Sequence, residues 1–206
     1  ENDVLGLLAR ATEKCNGVIV QLPLPAGIDT ERVLAHLPAT HDVDVLGPAA
    51  QRAFLGGDGA PVPPVVGAMR RVLAHVGYSL AGAHVVVVGQ GALVGAPAAV
   101  WARQQGADVV VLTKDTPRGD FLREVARADV LMLGTGSPGL ITPEMVREGV
   151  VVLDAGTSEA HGKLRGDADP SVAEKASVFT PTPGGIGPLT VVEIFTNMRT
   201  LLSETI

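Results

Sequence analysis

Residues 85–97 read VVVVGQGALVGAP. Four consecutive β-branched residues ending on Gly89 mark a strand buried on both faces, as in a parallel sheet. The chain then turns through Gly89, Gln90 and Gly91 into a helical pattern. Gly89 permits the tight turn, and Gly91 lets backbone come close to a pyrophosphate. The following helix N-terminus supplies unpaired N–H groups and positive potential. The usual dinucleotide fingerprint is G-x-G-x-x-G; here the third glycine, Gly95, comes one residue late, with Pro97 behind it. Gly89, Gln90, Gly91, Val94 and Gly95 are therefore candidate cofactor contacts.

The pattern repeats downstream. Buried-strand runs cover Val109–Leu112, Val130–Leu133 and Val150–Leu153, with a weaker one at Ser177–Thr180. Helices are predicted between them at Leu93–Gln105, Asp120–Arg127 and Pro143–Arg147. Strand alternating with helix predicts an α/β fold with a Rossmann-like, doubly wound parallel sheet. Upstream, Asp3–Lys14 reads as a helix with Val4, Leu7, Leu8 and Ala11 on one stripe. A strand is expected at Val18–Gln21, then a helix capped by Asp29 and carrying Val33, Leu34 and Leu37. These elements make a partial second α/β domain. Pro48–Pro64 reads as loop, turning at Gly56-Gly57-Asp58-Gly59, and leads to a helix at Val66–His75. The last helix, Pro188–Leu202, has Leu189, Val192, Phe195, Met198 or Arg199, and Leu202 at helical spacing, which reads as core packing. The expected division is residues 1–62, 63–182 and 183–206.

Composition narrows the classes of function. The chain has 206 residues, 46% of them hydrophobic but only 3% aromatic, so its core must be built from Val, Leu, Ala and Ile. A net charge of −6 gives no basic face for nucleic acid or an anionic membrane. No apolar run approaches the roughly 20 residues that span a bilayer. The one cysteine, Cys15, excludes an internal disulfide and fits a reducing, cytoplasmic setting. The chain opens on Glu1 rather than Met, which reads as a piece of something longer.

Chemistry is expected at the carboxyl ends of the strands. The second strand of the sheet ends in Thr113-Lys114-Asp115-Thr116. In dinucleotide folds this position reads the adenosine ribose: Lys114 favours a 2′-phosphate and NADP, whereas Asp115 favours free ribose hydroxyls and NAD. Gly134-Thr135-Gly136 and Asp154-Ala155-Gly156-Thr157 end the next two strands and would let a nicotinamide lie against backbone. The stretch TPTPGGIGPLT, residues 180–190, packs three prolines and three glycines into a rigid loop that cannot be helix or central strand. Asp42 with Asp44, and Asp167 with Asp169, have metal-like spacing but lack the further ligands such a site needs. His36, His41, His75, His84 and His161 form no ligand spacing, so no metal is expected.

In this order the segments GVIVQLPLP, HDVDV, AGAHVVVVGQGALVGAP, DAGT, KLRGDAD and TPTPGGIGPLT resemble the bifunctional methylenetetrahydrofolate dehydrogenase/cyclohydrolase family over nearly the whole chain. The resemblance implies oxidation of methylenetetrahydrofolate with NADP, or with NAD in some members. Hydrolysis of the methenyl product to formyltetrahydrofolate follows, in a cytoplasmic homodimer. It implies that Gln21 supports a catalytic lysine and that Asp44 anchors the pterin ring. Lys114 would approach the 2′-phosphate, with Thr135, Gly136 and Thr157 near the nicotinamide. Leu22, Pro23 and the loop Pro183, Gly184, Gly185, Ile186 and Thr190 would line the folate side. Gln21 at a strand end, locked by Pro23 and Pro25, is the backbone such a site residue needs.

Departures from the family pattern are local. The family's catalytic Tyr with a Lys four residues on has no counterpart in these 206 residues: Tyr78 lies downstream of Gln21 and is followed four residues later by Gly82. Val45-Leu46-Gly47-Pro48 stands where the family has Gly-Phe-His-Pro, and Pro63-Pro64-Val65-Val66 where it has Pro-Cys-Thr-Pro. The alternative expectation is a divergent, non-catalytic or re-purposed relative that binds a dinucleotide or folate.

Overall fold

The computed structural model describes residues 1–57, 61–160 and 162–203. Asp58 and Gly59 of the expected turn, and His161, lie outside them. The chain divides into two compact units, Glu1–Pro64 with Val191–Ile206, and Val65–Thr190.

The second unit is the parallel sheet. Its strands are β1 (His84–Val88), β2 (Asp108–Leu112), β3 (Val130–Leu133), β4 (Val151–Asp154) and β7 (Val178–Phe179), in the order β2-β1-β3-β4-β7. All four pairings are parallel. Val85–Val88 and the whole of β3 and β4 are buried, which is why their sequences do not alternate. Burying one valine side chain stabilises the fold by about 1.5–3 kcal/mol. Four adjacent valines therefore make β1 the anchor of the sheet. Helices α4 (Pro64–His75), α5 (Gly95–Gln104) and α6 (Arg118–Arg127) accompany the strands. A core of Val86, Leu131, Val152, Phe121, Val125 and their neighbours fills one face. The short antiparallel pair β5 (Ser158–Ala160) and β6 (Lys163–Arg165) has no counterpart in the sequence reading. The helix expected at Pro143–Arg147 is only a 3₁₀ turn, Pro143–Met145. A segment this short ahead of Gly149 cannot repay helix nucleation.

The first unit differs more from expectation. Helix α1 (Asn2–Lys14) and helix α2 (Thr30–Ala35) form as expected, and the Arg32 N–H donates to the Asp29 carboxylate at 3.1 Å. Leu8, Val33 and Leu37 are the buried centre of this unit's small core. The strand expected at Val18–Gln21 is a single parallel bridge, Val18 to Asp42. The facing segment is a run of turns whose N–H groups bond back to Pro38, Ala39 and Asp42, so it offers no extended edge to pair with. The expected loop after Pro48 is instead helix α3 (Pro48–Gly56), ended by Gly57 at φ +79°. Proline at the first helical position has its φ preset for a helix and lacks only an N–H that would be unpaired there, and Ala50 and Phe54 are buried along it.

Helix α7 (Ile186–Ser203) reverses its expected packing. Phe195 is 66% exposed and Val192 46%, while Glu193 and Asn197 are buried. The inward face is thus Glu193, Asn197 and Leu201, a spacing of four. Asn197 repays its burial with hydrogen bonds: its amide donates to the carbonyls of Val43 at 2.9 Å and Val62 at 2.8 Å and accepts from the Val62 N–H at 3.2 Å.

Candidate functional site

The connection from β1 to β2 runs one way along the sheet, and β3 lies on the other side of β1. The loops after β1 and β3 therefore part at the carboxyl end of β1, where open α/β sheets bind ligands. A groove of about 880 Å³ opens there, a size suited to a small-molecule ligand. Gly89, Gln90 and Gly91 line it from the β1 end, Lys114 and Asp115 from the β2 end, and Thr135 from the β3 end.

Close approach of backbone explains the glycines. Gly89 sits at φ +104°, and a Cβ on it would lie 2.7 Å from the Gly134 carbonyl oxygen. A Cβ on Gly95 would overlap the Gly89 carbonyl, so the late third glycine closes the turn against its first. A Cβ on Gly134 would overlap the Val94 side chain. Val94 and Gly95 thus shape the groove from behind rather than lining it. Gly91 is different: an added Cβ meets nothing within 4 Å. The backbone at Gly91 faces open space, as a pyrophosphate requires. Val94 caps α5 without a side-chain acceptor, so that helix end keeps positive character.

Thr113 and Thr116 of the expected ribose-reading strand end also line the groove, as do Arg118, Phe121 and Ser137, which the sequence reading missed. Thr116 Oγ1 accepts the Thr113 N–H at 2.9 Å, closing the turn that carries Lys114 and Asp115. The Arg118 guanidinium lies 5.5 Å from the centre of the Phe121 ring. The signal for Arg118 was a cation four residues past Lys114, at the start of a helix. Two cations and one carboxylate thus stand at the β2 end, a set that fits a 2′-phosphate better than a bare ribose.

Gly136 and Thr157 do not line the groove. They are neighbours of each other, since a Cβ on Gly136 would stand 3.8 Å from the Thr157 carbonyl oxygen. The Pro-Gly loop is tied to the same sheet end: Thr182 Oγ1 donates to the Gly156 carbonyl at 3.2 Å. Gly185 donates to the Pro181 carbonyl at 2.7 Å, and a Cβ on Gly185 would come within 2.6 Å of that oxygen. Gly184 adopts φ +104°, Ile186 is buried, and Thr190 Oγ1 bonds back to the Ile186 carbonyl. Pro183 follows a cis peptide bond, as does Pro23.

Gln21, Leu22, Pro23 and Asp44 lie in the first unit. The Gln21 side chain is exposed and donates to the Leu22 carbonyl at 3.1 Å. The two aspartates of HDVDV have different tasks. Asp42 is fully buried and accepts the N–H groups of Leu46 at 3.2 Å and Gly47 at 2.6 Å. Asp44 is half-buried, and its carboxyl is pushed above the usual range by desolvation and then by the charge of Asp42. Next to it, Val45 sits at φ +57°, a left-handed conformation rare for a β-branched residue. Among the described residues no group of three or more His, Cys, Asp or Glu side chains could hold a metal ion. No described helix is long and apolar enough to cross a membrane.

A glycine-built groove at the point where strand order reverses is what nucleotide-binding α/β domains share. The comparisons are more specific. Residues 61–205 match the NAD(P)-binding domain of the tetrahydrofolate dehydrogenase/cyclohydrolase family, and the chain belongs to that family. It is 41% identical over 189 residues to the bifunctional protein FolD of Thermus thermophilus, spanning 91% of this chain but only 66% of that relative's length. The FolD dehydrogenase/cyclohydrolase of Campylobacter jejuni superposes with a TM-score of 0.92 at 30% identity, covering 100% of this chain and 74% of that one. The FolD of Trypanosoma brucei, solved with NADP and an inhibitor, gives 0.90 at 31% identity, covering 99% and 73%.

Proposed function

We propose that this chain forms the cofactor-binding part, and a portion of the folate-binding part, of an NADP-dependent methylenetetrahydrofolate dehydrogenase that also hydrolyses the methenyl product to formyltetrahydrofolate. The groove at the carboxyl end of β1 carries the reading. Its open backbone at Gly91 and its cations Lys114 and Arg118 suit a dinucleotide bearing a 2′-phosphate. NADP⁺, when bound, accepts the hydride from the methylene carbon. The chain's own residues bind and orient. The glycine turn takes the pyrophosphate, and Lys114 with Arg118 take the 2′-phosphate. Thr135, Gly136 and Thr157 border the nicotinamide. Asp44 accepts ring N–H groups of the pterin, and Gln21 steadies the group that moves the proton. Leu22, Pro23 and the loop from Pro183 to Ile186, with Thr190, border the folate. Residues 1–62 are assigned to the catalytic domain, 63–182 to the cofactor domain, and the terminal loop and helix to the return into the catalytic domain. The same reading makes the protein a cytoplasmic homodimer that supplies formyl groups to purine synthesis.

The test is methylenetetrahydrofolate-dependent reduction of NADP⁺ by the full-length protein, with NAD⁺ in parallel. Decay of the methenyl absorbance reports the hydrolytic step. Reduction of NADP⁺ in preference to NAD⁺ is expected. No reduction of either, with no NADP binding by calorimetry, would overturn the reading.

A further inference from the structure

Two aspartates outside the groove are almost fully buried, Asp154 at 1% exposure and Asp167 at 0%. Each carboxylate is spent on backbone N–H groups. Asp167 accepts from Thr135 at 2.5 Å and from Ser137 at 2.8 Å. Asp154 accepts from Gly156 and from Ala168, both at 2.8 Å. Each also has a glycine of the other's segment against it. A Cβ on Gly156 would overlap the Asp167 carboxyl, and a Cβ on Gly166 would overlap that of Asp154. The stretches DAGT (154–157) and GDAD (166–169) therefore interlock: each supplies the carboxylate, and each supplies the space for the other's.

The consequence falls on the groove. Thr135 and Ser137 line it, and both are held from behind by one carboxylate. A second parallel tie, Ile141 to Ala168, anchors the chain that carries Asp167 to the far end of the same loop. We propose that Asp167 is a positioning residue for the cofactor: buried behind the β3 loop, it fixes the Thr135–Ser137 wall of the groove, and Gly156 is required to seat it. This rests on the groove being the NADP site.

Asp167→Asn keeps one acceptor and turns a donor toward a backbone N–H, so one of the two ties is lost. NADP binding by calorimetry is expected to weaken about 10- to 100-fold, the scale on which a shift of about 1 Å in a positioning wall is felt. Adenosine 2′,5′-bisphosphate, which engages only the β2 end, should bind within about threefold of wild type, because a local defect leaves Lys114 and Arg118 in place. Gly156→Ala provides the second route, since its methyl displaces the same carboxylate; it should give the same split. Equal NADP affinity in folded variants overturns the proposal. Parallel loss of both ligands, or of the fold in both variants, assigns Asp167 a structural role and overturns it as well. Wild-type protein that binds neither ligand overturns the cofactor reading itself.

Discussion

Lys114→Ala should separate NADP from NAD. Lys114 and Arg118 stand with Asp115 at one end of the groove, so the end nearest a 2′-phosphate has a net positive charge. A cation about 4 Å from a phosphate oxygen gains about 1 kcal/mol in bulk water and about 4 kcal/mol at an effective dielectric of 20. Lys114 is exposed, so screening holds the gain near the lower value, at about 1–2 kcal/mol. That is about a 5- to 30-fold loss of NADP affinity, with NAD affinity unchanged. The double variant with Arg118→Ala should lose about that factor again, and Asp115→Asn should tighten NADP. Calorimetric titration of both cofactors at low and high salt provides the readout. The wild-type preference for NADP should shrink as salt rises, the single variant's should shrink less because Arg118 remains, and the double variant's should not shrink. An equal loss of NADP and NAD would refute the assignment, because it would mean Lys114 shapes the groove rather than reading the phosphate.

Other expectations concern the first unit. Val45→Gly relieves a left-handed backbone worth about 1–2 kcal/mol but forfeits about 1.5–3 kcal/mol of burial and adds chain entropy. A net loss of about 1–2 kcal/mol by urea unfolding is expected; a loss above about 4 kcal/mol would show that Val45 carries no strain. Asp44→Asn tests the raised carboxyl. Because its folded pKa lies above its unfolded one, ionised Asp44 disfavours the fold, and stability falls as pH rises through the folded value. The variant should be more stable than wild type at neutral pH and converge with it as the pH drops toward the ordinary aspartate range. A gap that widens on acidification would contradict this. Asn197→Leu strands the Val43 and Val62 carbonyls and the Val62 N–H, at about 2–4 kcal/mol. Unchanged stability with unchanged exchange of the Val62 amide would exclude that role.

Much of the sheet was legible because its central strands β1, β3 and β4 are buried on both faces. A strand in that position must be apolar at every residue, so Val85–Val88, Leu131 and Val152 stand out without tertiary knowledge. The glycine turn was legible for a related reason: backbone against backbone leaves no room for a side chain. Helix α3 was hidden because Pro48 reads equally as loop or as helix start, and burial of Phe54 decides between them. The α7 stripe misled because periodicity reports that a helix has faces, not which face finds a partner. There the partner is polar, and Asn197 earns its burial by hydrogen bonds to residues 135 and 154 positions away.

The sequence alone determined the succession of the five parallel strands and of helices α4 to α6, the glycine turn and the family resemblance, because local sterics and unbroken apolar runs act over a few residues. Only the tertiary structure decided which aspartate of each pair is buried. It also decided that Arg118 and Ser137 border the groove, and that Gly156 and Gly166 make room for each other's carboxylates. Those are properties of segments distant along the chain, and burial and hydrogen-bond partners exist only once the segments have packed.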